Sequence, residues 1–297
     1  MAWRGLHISE AARLSLSRGR LVADRDDGET LRFPLEDVAW IVLDTPQVTV
    51  SAALMAACAQ SDVPVVYTDP KHLPCGVLLP FHQHWQQGAA ARGQLGATAP
   101  LKKRLWQHIV RQKLANQAAV LDRGQVSGAE TLRDMARHVR SGDPGNVEAR
   151  AARFYWQRLF EAFRRHDDAD PRNAMLDYSY AVLRAAVARA LVAAGLLPAF
   201  GIHHAGAQNA FNLADDCLEV LRPLADARVF DMLGHGRRPE SGGLSREARR
   251  HLAGVMTESL ILDDQQLTVL PAVDALVASL VRAFEGGTSA ALRLPRL

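Results

Sequence analysis

Carboxylates and imidazoles at three places in the sequence could together bind a metal ion. Glu148 lies in GNVEARAARFYWQRLF, where Asn146 is suited to begin a helix, so that Glu148 falls in the first helical turn. His203 and His204 lie in the short segment GIHHAGAQN, ahead of another helix. Adjacent side chains point in different directions, so we expect at most one of these histidines to reach a given ion.

The third place is the acidic run DDCLE at 215–219. On a helix, Glu219 lies four residues after Asp215 and three after Asp216, so these carboxylates crowd one side and repel one another. Arg222 is expected to offset that repulsion by pairing with Glu219.

Each place also has a purely structural interpretation. The helix dipole favours a first-turn carboxylate such as Glu148, a loop histidine is often only hydrogen-bonded, and Glu219 with Arg222 is an ordinary ion pair. Taken together, one imidazole and two carboxylates form an oxygen-rich ligand set that suits Mg²⁺ or Mn²⁺. Zinc is the alternative ion, although the HExxH spacing is absent. A divalent ion at such a site can stabilise charge that develops on a phosphodiester.

The elements that must position these residues follow from hydrophobic periodicity. Residues 1–85 show short alternating or apolar runs between turns, and Ser51 is suited to begin one helix there. Residues 86–100, rich in glycine and small residues, are predicted to be a linker. From 101 onward the period is helical, and further helices are predicted at about 128–140, 146–165, 172–195, 208–223, 244–260 and 271–285.

The predicted fold is therefore an α+β chain of two domains. Residues 1–85 form a small, mainly β domain, and residues 101–297 form a larger, all-α catalytic domain. The loop at 234–246 receives no firm role.

Composition indicates an ordinary globular protein with a basic segment. The chain has 297 residues, of which 48% are hydrophobic and 23% are charged. The start of the chain has no signal-peptide pattern, and the three cysteines are an odd number without CxxC spacing. Both features favour a cytoplasmic location with reduced thiols. Residues 101–165 hold 14 Lys or Arg against 6 Asp or Glu, within a net charge of +3. Such an excess favours a nucleic-acid partner, although a solvated helix face is the alternative.

The chain resembles the CRISPR-associated integrase family, the universal spacer-acquisition proteins, in its type II branch. Three segments carry the resemblance: FPLEDVAWIVLDTPQVTVSAALMAACA, LKKRLWQHIVRQKLANQA, and the stretch from RNAMLDYSYAVLRAAVARAL to GIHHAGAQNAFNLADDCLEVLRP. By position, the resemblance implies that Glu148, His204 and Glu219 are the catalytic metal ligands for Mg²⁺ or Mn²⁺. Asp216 would touch the metal through water or adjust Glu219. Val220 and Leu221 depart from the family's usual Pro-Phe.

The resemblance also implies a reaction and partners. The 3′-hydroxyl of a new spacer DNA attacks a phosphodiester at the edge of a repeat in the CRISPR array. The family works as a homodimer through its β domain, and a small ferredoxin-like CRISPR protein bridges two dimers. The RNA-guided nuclease of the type II system is a further candidate partner. A neutral His204 is required of a ligand, so we expect activity to fall below about pH 6.

Five basic residues are candidates for contacts with the DNA backbone: Lys102, Lys103, Arg104, Arg111 and Lys113. Tyr178 and Tyr180 could stack on bases, but their helical spacing favours the core. Two other functions stay open at this point. The same ligands could serve a nuclease that hydrolyses branched or single-stranded DNA, or the acids could form ion pairs in a non-catalytic DNA-binding scaffold.

Overall fold

A computed structural model describes residues 4–80, 86–234 and 244–297. The chain divides into two compact units, Met1–His84 and Trp85–Leu297. The first is rich in strands and the second is mostly helical, which confirms the mixed α and β character predicted from the sequence. None of the helices in the described ranges has the length and hydropathy needed to cross a lipid bilayer.

In residues 4–80, the N-terminal unit holds two four-stranded sheets and one α-helix. Its elements are β1 (Arg4–Ile8), β2 (Ala12–Ser17), β3 (Arg20–Arg25), β4 (Thr30–Pro34), β5 (Val38–Leu43), β6 (Val48–Val50), α1 (Ala52–Gln60), β7 (Val65–Thr68) and β8 (Pro74–Leu78). One sheet has the order β1-β5-β7-β8 and the other β4-β3-β2-β6. Residues that alternate along these strands, such as Leu14, Leu21 and Ile41, form the core with Leu54 of α1. The Ser51 hydroxyl accepts the Leu54 amide, which confirms the predicted start of α1.

The second unit holds nine helices and one hairpin in its described residues. They are α2 (Gln87–Leu95), α3 (Ala99–Arg123), α4 (Ala129–His138), α5 (Val147–Leu159), α6 (Pro171–Ala193), α7 (Asn212–Leu218), α8 (Arg222–Met232), α9 (Arg246–Ala253), β9 (Ser259–Leu262), β10 (Gln265–Thr268) and α10 (Val269–Glu285). The central helix α3 packs against α4, α5, α7 and α8, and α6 packs against α7, α8, α9 and α10. Large apolar side chains at helical spacing, such as Leu105, Ile109 and Leu183, are fully buried between these helices.

Three sequence predictions for this unit are wrong. The predicted linker 86–100 contains α2, which packs against α10 and belongs to the helical unit. The unit is not all-α, because residues 259–268 form the antiparallel hairpin β9–β10 instead of the end of a helix. The predicted helix 208–223 is two helices, α7 and α8, and Pro223 lies in the first turn of the second, where its missing amide is tolerated. In the loop at 234–246, residues 235–243 lie outside the described part of the chain.

Candidate functional site

The three predicted ligands lie on separate elements of the helical unit. Glu148 is in the first turn of α5, Glu219 directly follows α7, and His204 lies in the loop between α6 and α7. Helix α3 completes the site and contributes the buried residues Trp106 and Lys113.

Lys113 joins the two glutamates. Its Nζ lies 2.6 Å from Glu148 Oε1 and 2.5 Å from Glu219 Oε2. The two carboxylate oxygens can therefore be no farther apart than the sum of those distances, about 5.1 Å. The Lys113 side chain is only 10% exposed, so its interactions with both carboxylates are weakly screened.

Glu219 is held as an anion although it is buried. Burial alone would raise the pKa of its carboxyl group, but the charges of Lys113 and Arg222 outweigh burial and lower that pKa to about 2. Arg222 Nε donates to Glu219 Oε1 at 2.8 Å, which confirms the predicted ion pair. The guanidinium of Arg222 also lies over the ring of Tyr180, 4.6 Å from its centroid.

Asp216 organises the histidine loop. Its carboxylate is fully buried and accepts the backbone amides of Ile202, His203 and His204, together with Nδ1 of His204 at 2.7 Å. A proton on Nδ1 that is donated to Asp216 leaves Nε2 of the neutral ring with its lone pair. The hydrogen bond that His204 donates to Asp216 raises the pKa of the imidazole, against the opposing effect of burial.

Two further features fix the path of this loop. A Cβ on Gly201 would lie 2.2 Å from the carbonyl oxygen of His204 and 2.7 Å from Asp216 Oδ2, so the close approach requires glycine. The ring of His203 stacks on Trp106, with centroids 4.1 Å apart and planes within 4°. His204 meets the same indole edge-on at 5.7 Å. The stacked ring of His203 is thus committed to packing, whereas His204 is directed by its hydrogen bond.

Asp143 positions Glu148. Its two carboxylate oxygens accept the amides of Val147 and Glu148, both at 2.9 Å, so Asp143 caps α5. The predicted cap, Asn146, is wrong: it has φ 47° and ψ 44° and makes no side-chain cap hydrogen bond. The surroundings of Asp215 also differ from expectation. Arg184, on α6, donates from Nε to Asp215 at 2.6 Å, and this ion pair relieves the predicted repulsion between Asp215 and Glu219.

The predicted DNA-contact residues divide into three groups. Lys103 and Arg104 are exposed and Lys102 is partly exposed. Arg111 is committed to the carbonyl oxygen of Val139, to which it donates from Nε at 3.2 Å and from a terminal nitrogen at 2.8 Å. Lys113 is wrong as a backbone contact, because it is buried between two glutamates.

The tyrosines prove to be core residues, as their spacing favoured. Tyr178 and Tyr180 are buried, and the Tyr180 hydroxyl donates to Asp226. Tyr155 donates to the other oxygen of Asp226 at 3.1 Å.

Sequence reasoning missed the roles of Lys113 and Asp143, and helical phase could have shown only the first. Lys113 lies four residues after Ile109 and seven after Trp106, which places it on the buried face of α3. Asp143 carried no comparable sequence signal, because it lies before the turn that precedes α5 and not at the usual capping position.

The donor chemistry of this site fits a hard divalent ion. Two carboxylates and an imidazole nitrogen are suitable ligands, and the ammonium of Lys113 shows that the carboxylates accommodate a cation. Within the described ranges, however, no three His, Cys, Asp or Glu side chains already converge on one point that could hold a metal. The cation between the carboxylates is that of Lys113.

An acidic, cation-binding centre beside exposed basic side chains is an arrangement typical of enzymes that act on nucleic acids. Residues 6–257 match the family described as "CRISPR associated protein Cas1", and the chain belongs to this family. It is 42% identical over 299 residues to the CRISPR-associated endonuclease Cas1 of Neisseria meningitidis serogroup C (strain 8013), covering 100% of this chain and 97% of that protein.

Solved structures share the fold at low sequence identity. A casposase bound to its integration product is 16% identical with a TM-score of 0.77, covering 97% of this chain and 92% of that one. A Cas6-RT-Cas1–Cas2 complex gives 20% identity and a TM-score of 0.72, covering 97% of this chain and 36% of that one.

Proposed function

We propose that this protein is a divalent-metal-dependent DNA integrase and endonuclease of CRISPR adaptation. One observation carries the proposal: two carboxylates from different helices approach within about 5.1 Å of each other around one cation, beside an imidazole oriented by a buried aspartate. Membership of the Cas1 family and the name of the Neisseria relative, an endonuclease, support the same reaction class.

Glu148, His204 and Glu219 would hold the ion, which is Mg²⁺ or Mn²⁺ according to the oxygen-rich ligand set. When bound, such an ion stabilises the negative charge that develops on a phosphodiester under attack. Asp216 holds the imidazole in the tautomer that leaves Nε2 free to bind, and Arg222 keeps Glu219 ionised.

The proposed reaction is a transesterification. The 3′-oxygen of the incoming DNA forms a bond to phosphorus in the repeat, and the bond from that phosphorus to the repeat's 3′-oxygen breaks. The hydroxyl loses its proton and the departing oxygen gains one, so the number of phosphodiester bonds is conserved. Protein side chains act by orientation, since the nucleophile comes from DNA.

A basic surface next to Glu148 supports a DNA strand as the substrate. Arg140 and Arg150, together with Asp134 and Asp143, line a surface cavity of about 320 Å³ at the start of α5. Lys103 lies beside the same loop, because the Gly142 amide donates to its carbonyl oxygen. In the described part of the chain, none of these three side chains has a carboxylate within ion-pairing distance, so all three are available to phosphates.

The proposed partners are those the family implies. We infer a homodimer formed through the N-terminal unit, bridged to a second dimer by a small ferredoxin-like CRISPR protein. The resemblance of LKKRLWQHIVRQKLANQA to type II relatives adds the RNA-guided nuclease of that system as a partner. The likeness to a Cas1–Cas2 assembly is consistent with these partners.

The decisive experiment offers the protein labelled spacer DNA with either a free or a blocked 3′ end, together with a repeat-containing target and Mn²⁺. We expect joined product only from the free 3′ end, and its loss in Glu148→Gln and Glu219→Gln. Equal cleavage of the target with both ends would instead indicate hydrolysis by water. DNA binding without either product, unchanged in both variants, would indicate a non-catalytic scaffold.

A further inference from the structure

Lys113 is a fixed positive charge at the centre of the candidate site. Its ammonium contacts Glu148 and Glu219, which are 71 residues apart in the chain and lie on different elements. Lys113 lies on the buried face of α3, and its side chain is only 10% exposed. The packing of α3 therefore brings the ammonium to the two glutamates.

The contacts of Lys113 use the same atoms that a divalent ion would need. Glu148 offers Oε1 to the ammonium, and Glu219 offers Oε2 while its other oxygen accepts Arg222. An ion that binds Glu219 must therefore share or replace one of these two cationic partners. Arg222 is held in addition by the ring of Tyr180, whereas an ammonium on a four-carbon stem can change rotamer.

We propose that Lys113 is a positioning residue that holds Glu148 and Glu219 together and weakens the binding of a divalent ion by competing for their oxygens. This inference depends on the proposed function in one respect, that these glutamates bind such an ion. Lys113 thereby sets the ion concentration at which the site fills.

The balance of charge gives the sign of the expected effect. Glu148 and Glu219 contribute two negative charges, and Lys113 and Arg222 contribute two positive charges. Removal of the Lys113 charge leaves the group net negative, which favours a divalent ion and disfavours the ion-free protein. A buried carboxylate, Glu219, and a partly buried one, Glu148, at such short separation repel each other unless a cation lies between them.

The test compares wild type with Lys113→Gln and Lys113→Met in two measurements. Free Mn²⁺ is followed by electron paramagnetic resonance to obtain the Kd, and thermal unfolding is recorded in EDTA and in excess Mn²⁺. We expect both variants to bind Mn²⁺ at least about ten-fold more tightly, which corresponds to about 1.4 kcal/mol. We also expect a lower Tm in EDTA and a larger increase in Tm on adding Mn²⁺.

Two matched substitutions separate charge from general damage. Lys113→Arg keeps the charge and should retain the weaker affinity of wild type. Arg123→Met removes a positive charge from the exposed surface of the same helix, where it pairs with Asp231, and should change neither the Kd nor the response to Mn²⁺.

The possible results lead to different conclusions. Unchanged or weaker Mn²⁺ binding in a folded Lys113→Gln protein would overturn the inference about Lys113 and leave the proposed function standing. Absence of Mn²⁺ binding in wild type, or binding that survives Glu148→Gln with Glu219→Gln, would instead overturn the metal site itself. If Lys113→Met folds only when Mn²⁺ is present, the inference is supported, because the ion then replaces the missing ammonium.

Discussion

At the scale of single residues, Asp216 has a role that differs from that of the glutamates. All its described hydrogen bonds are with the histidine loop: three backbone amides and the ring of His204. A buried carboxylate that accepts several donors fixes the orientation of each donor. The sequence prediction gave Asp216 a contact with the metal through water or an effect on Glu219, whereas its hydrogen bonds in the structure orient the imidazole of His204.

The raised pKa of His204 leads to a prediction for pH dependence. A metal ligand must be neutral, so binding is lost as the pH falls through the imidazole pKa, which Asp216 raises above its usual value near 6.5. We therefore expect integration to decline as the pH is lowered, with the decline beginning above about pH 6.5. The sequence alone suggested a lower limit, about pH 6.

Asp216→Asn should move that limit to lower pH, because the charged hydrogen-bond acceptor is gone. The same substitution should reduce Mn²⁺ affinity by roughly 10- to 100-fold, since an amide cannot accept all the donors of the loop. The measurement is the integration rate from roughly pH 5.5 to 8.5 at saturating Mn²⁺. Superimposable profiles for wild type and variant would contradict the assigned role.

At the scale of elements, the sequence predicted the helices and caps that depend on residues close together in the chain. The long helices α3 and α6, which are rich in apolar residues and good helix formers, and the Ser51 cap of α1 were predicted correctly. The helix α2 was missed because its alanines and glycines carry no period. Its stability comes from packing against α10 and from Gln94, whose amide group binds Leu197 and Phe200 across the unit.

The hairpin was missed for a related reason. Its turn consists of Asp263 and Asp264, both with positive φ (47° and 61°). Two-residue hairpins require this conformation, but glycine and asparagine indicate it more clearly than aspartate does.

In the candidate site, the ion pair of Glu219 with Arg222 could be predicted because the two residues are close in sequence. The contacts of Lys113 with Glu148 and Glu219 depend on how three helices pack, which no local pattern records.

The cap of α5 gives a prediction at this scale. Asp143→Ala should lower the free energy of unfolding by about 1 kcal/mol, because two first-turn amides lose their acceptor. It should also weaken Mn²⁺ binding, since Glu148 lies in that turn. Urea unfolding followed by circular dichroism measures the first effect.

Asn146→Gly is the matched control for this cap. Asn146 has a left-handed backbone conformation without a side-chain cap, so glycine should be neutral or slightly stabilising. If Asn146→Gly were as destabilising as Asp143→Ala, the cap would belong to Asn146 after all.

At the scale of the whole molecule, folding redistributes the positive charge seen in the sequence. Several basic residues of the 101–165 segment are neutralised by carboxylates on the surface, among them Arg123, Arg133 and Arg137. Among the basic residues without a carboxylate partner in the described part of the chain, Arg140 and Arg150 line the cavity at the start of α5, near Glu148. Local charge excess in the sequence favoured the partner class that we propose, but it did not identify the surface that would meet such a partner.

This distribution predicts how DNA affinity depends on salt. Replacing Lys103, Arg140 and Arg150 together by alanine should reduce the slope of log K against log salt by about one for each phosphate that the protein no longer neutralises. Arg133→Ala, whose guanidinium is bound to Asp122, should leave the slope unchanged. Fluorescence anisotropy with labelled duplex DNA at several salt concentrations provides the slopes. Equal slopes for the triple variant and wild type would place the DNA elsewhere.

The short helix α7 has a mechanical consequence. Asp216 within it clamps the loop of His204, and Glu219 directly follows it, so the imidazole and one carboxylate belong to a single rigid piece. Glu148 belongs to another piece, α5. Relative motion of the two pieces would change the gap between the carboxylates more than the spacing of His204 from Glu219. If these three side chains bind an ion as we propose, we therefore expect the ion to lose its contact with Glu148 first as temperature rises.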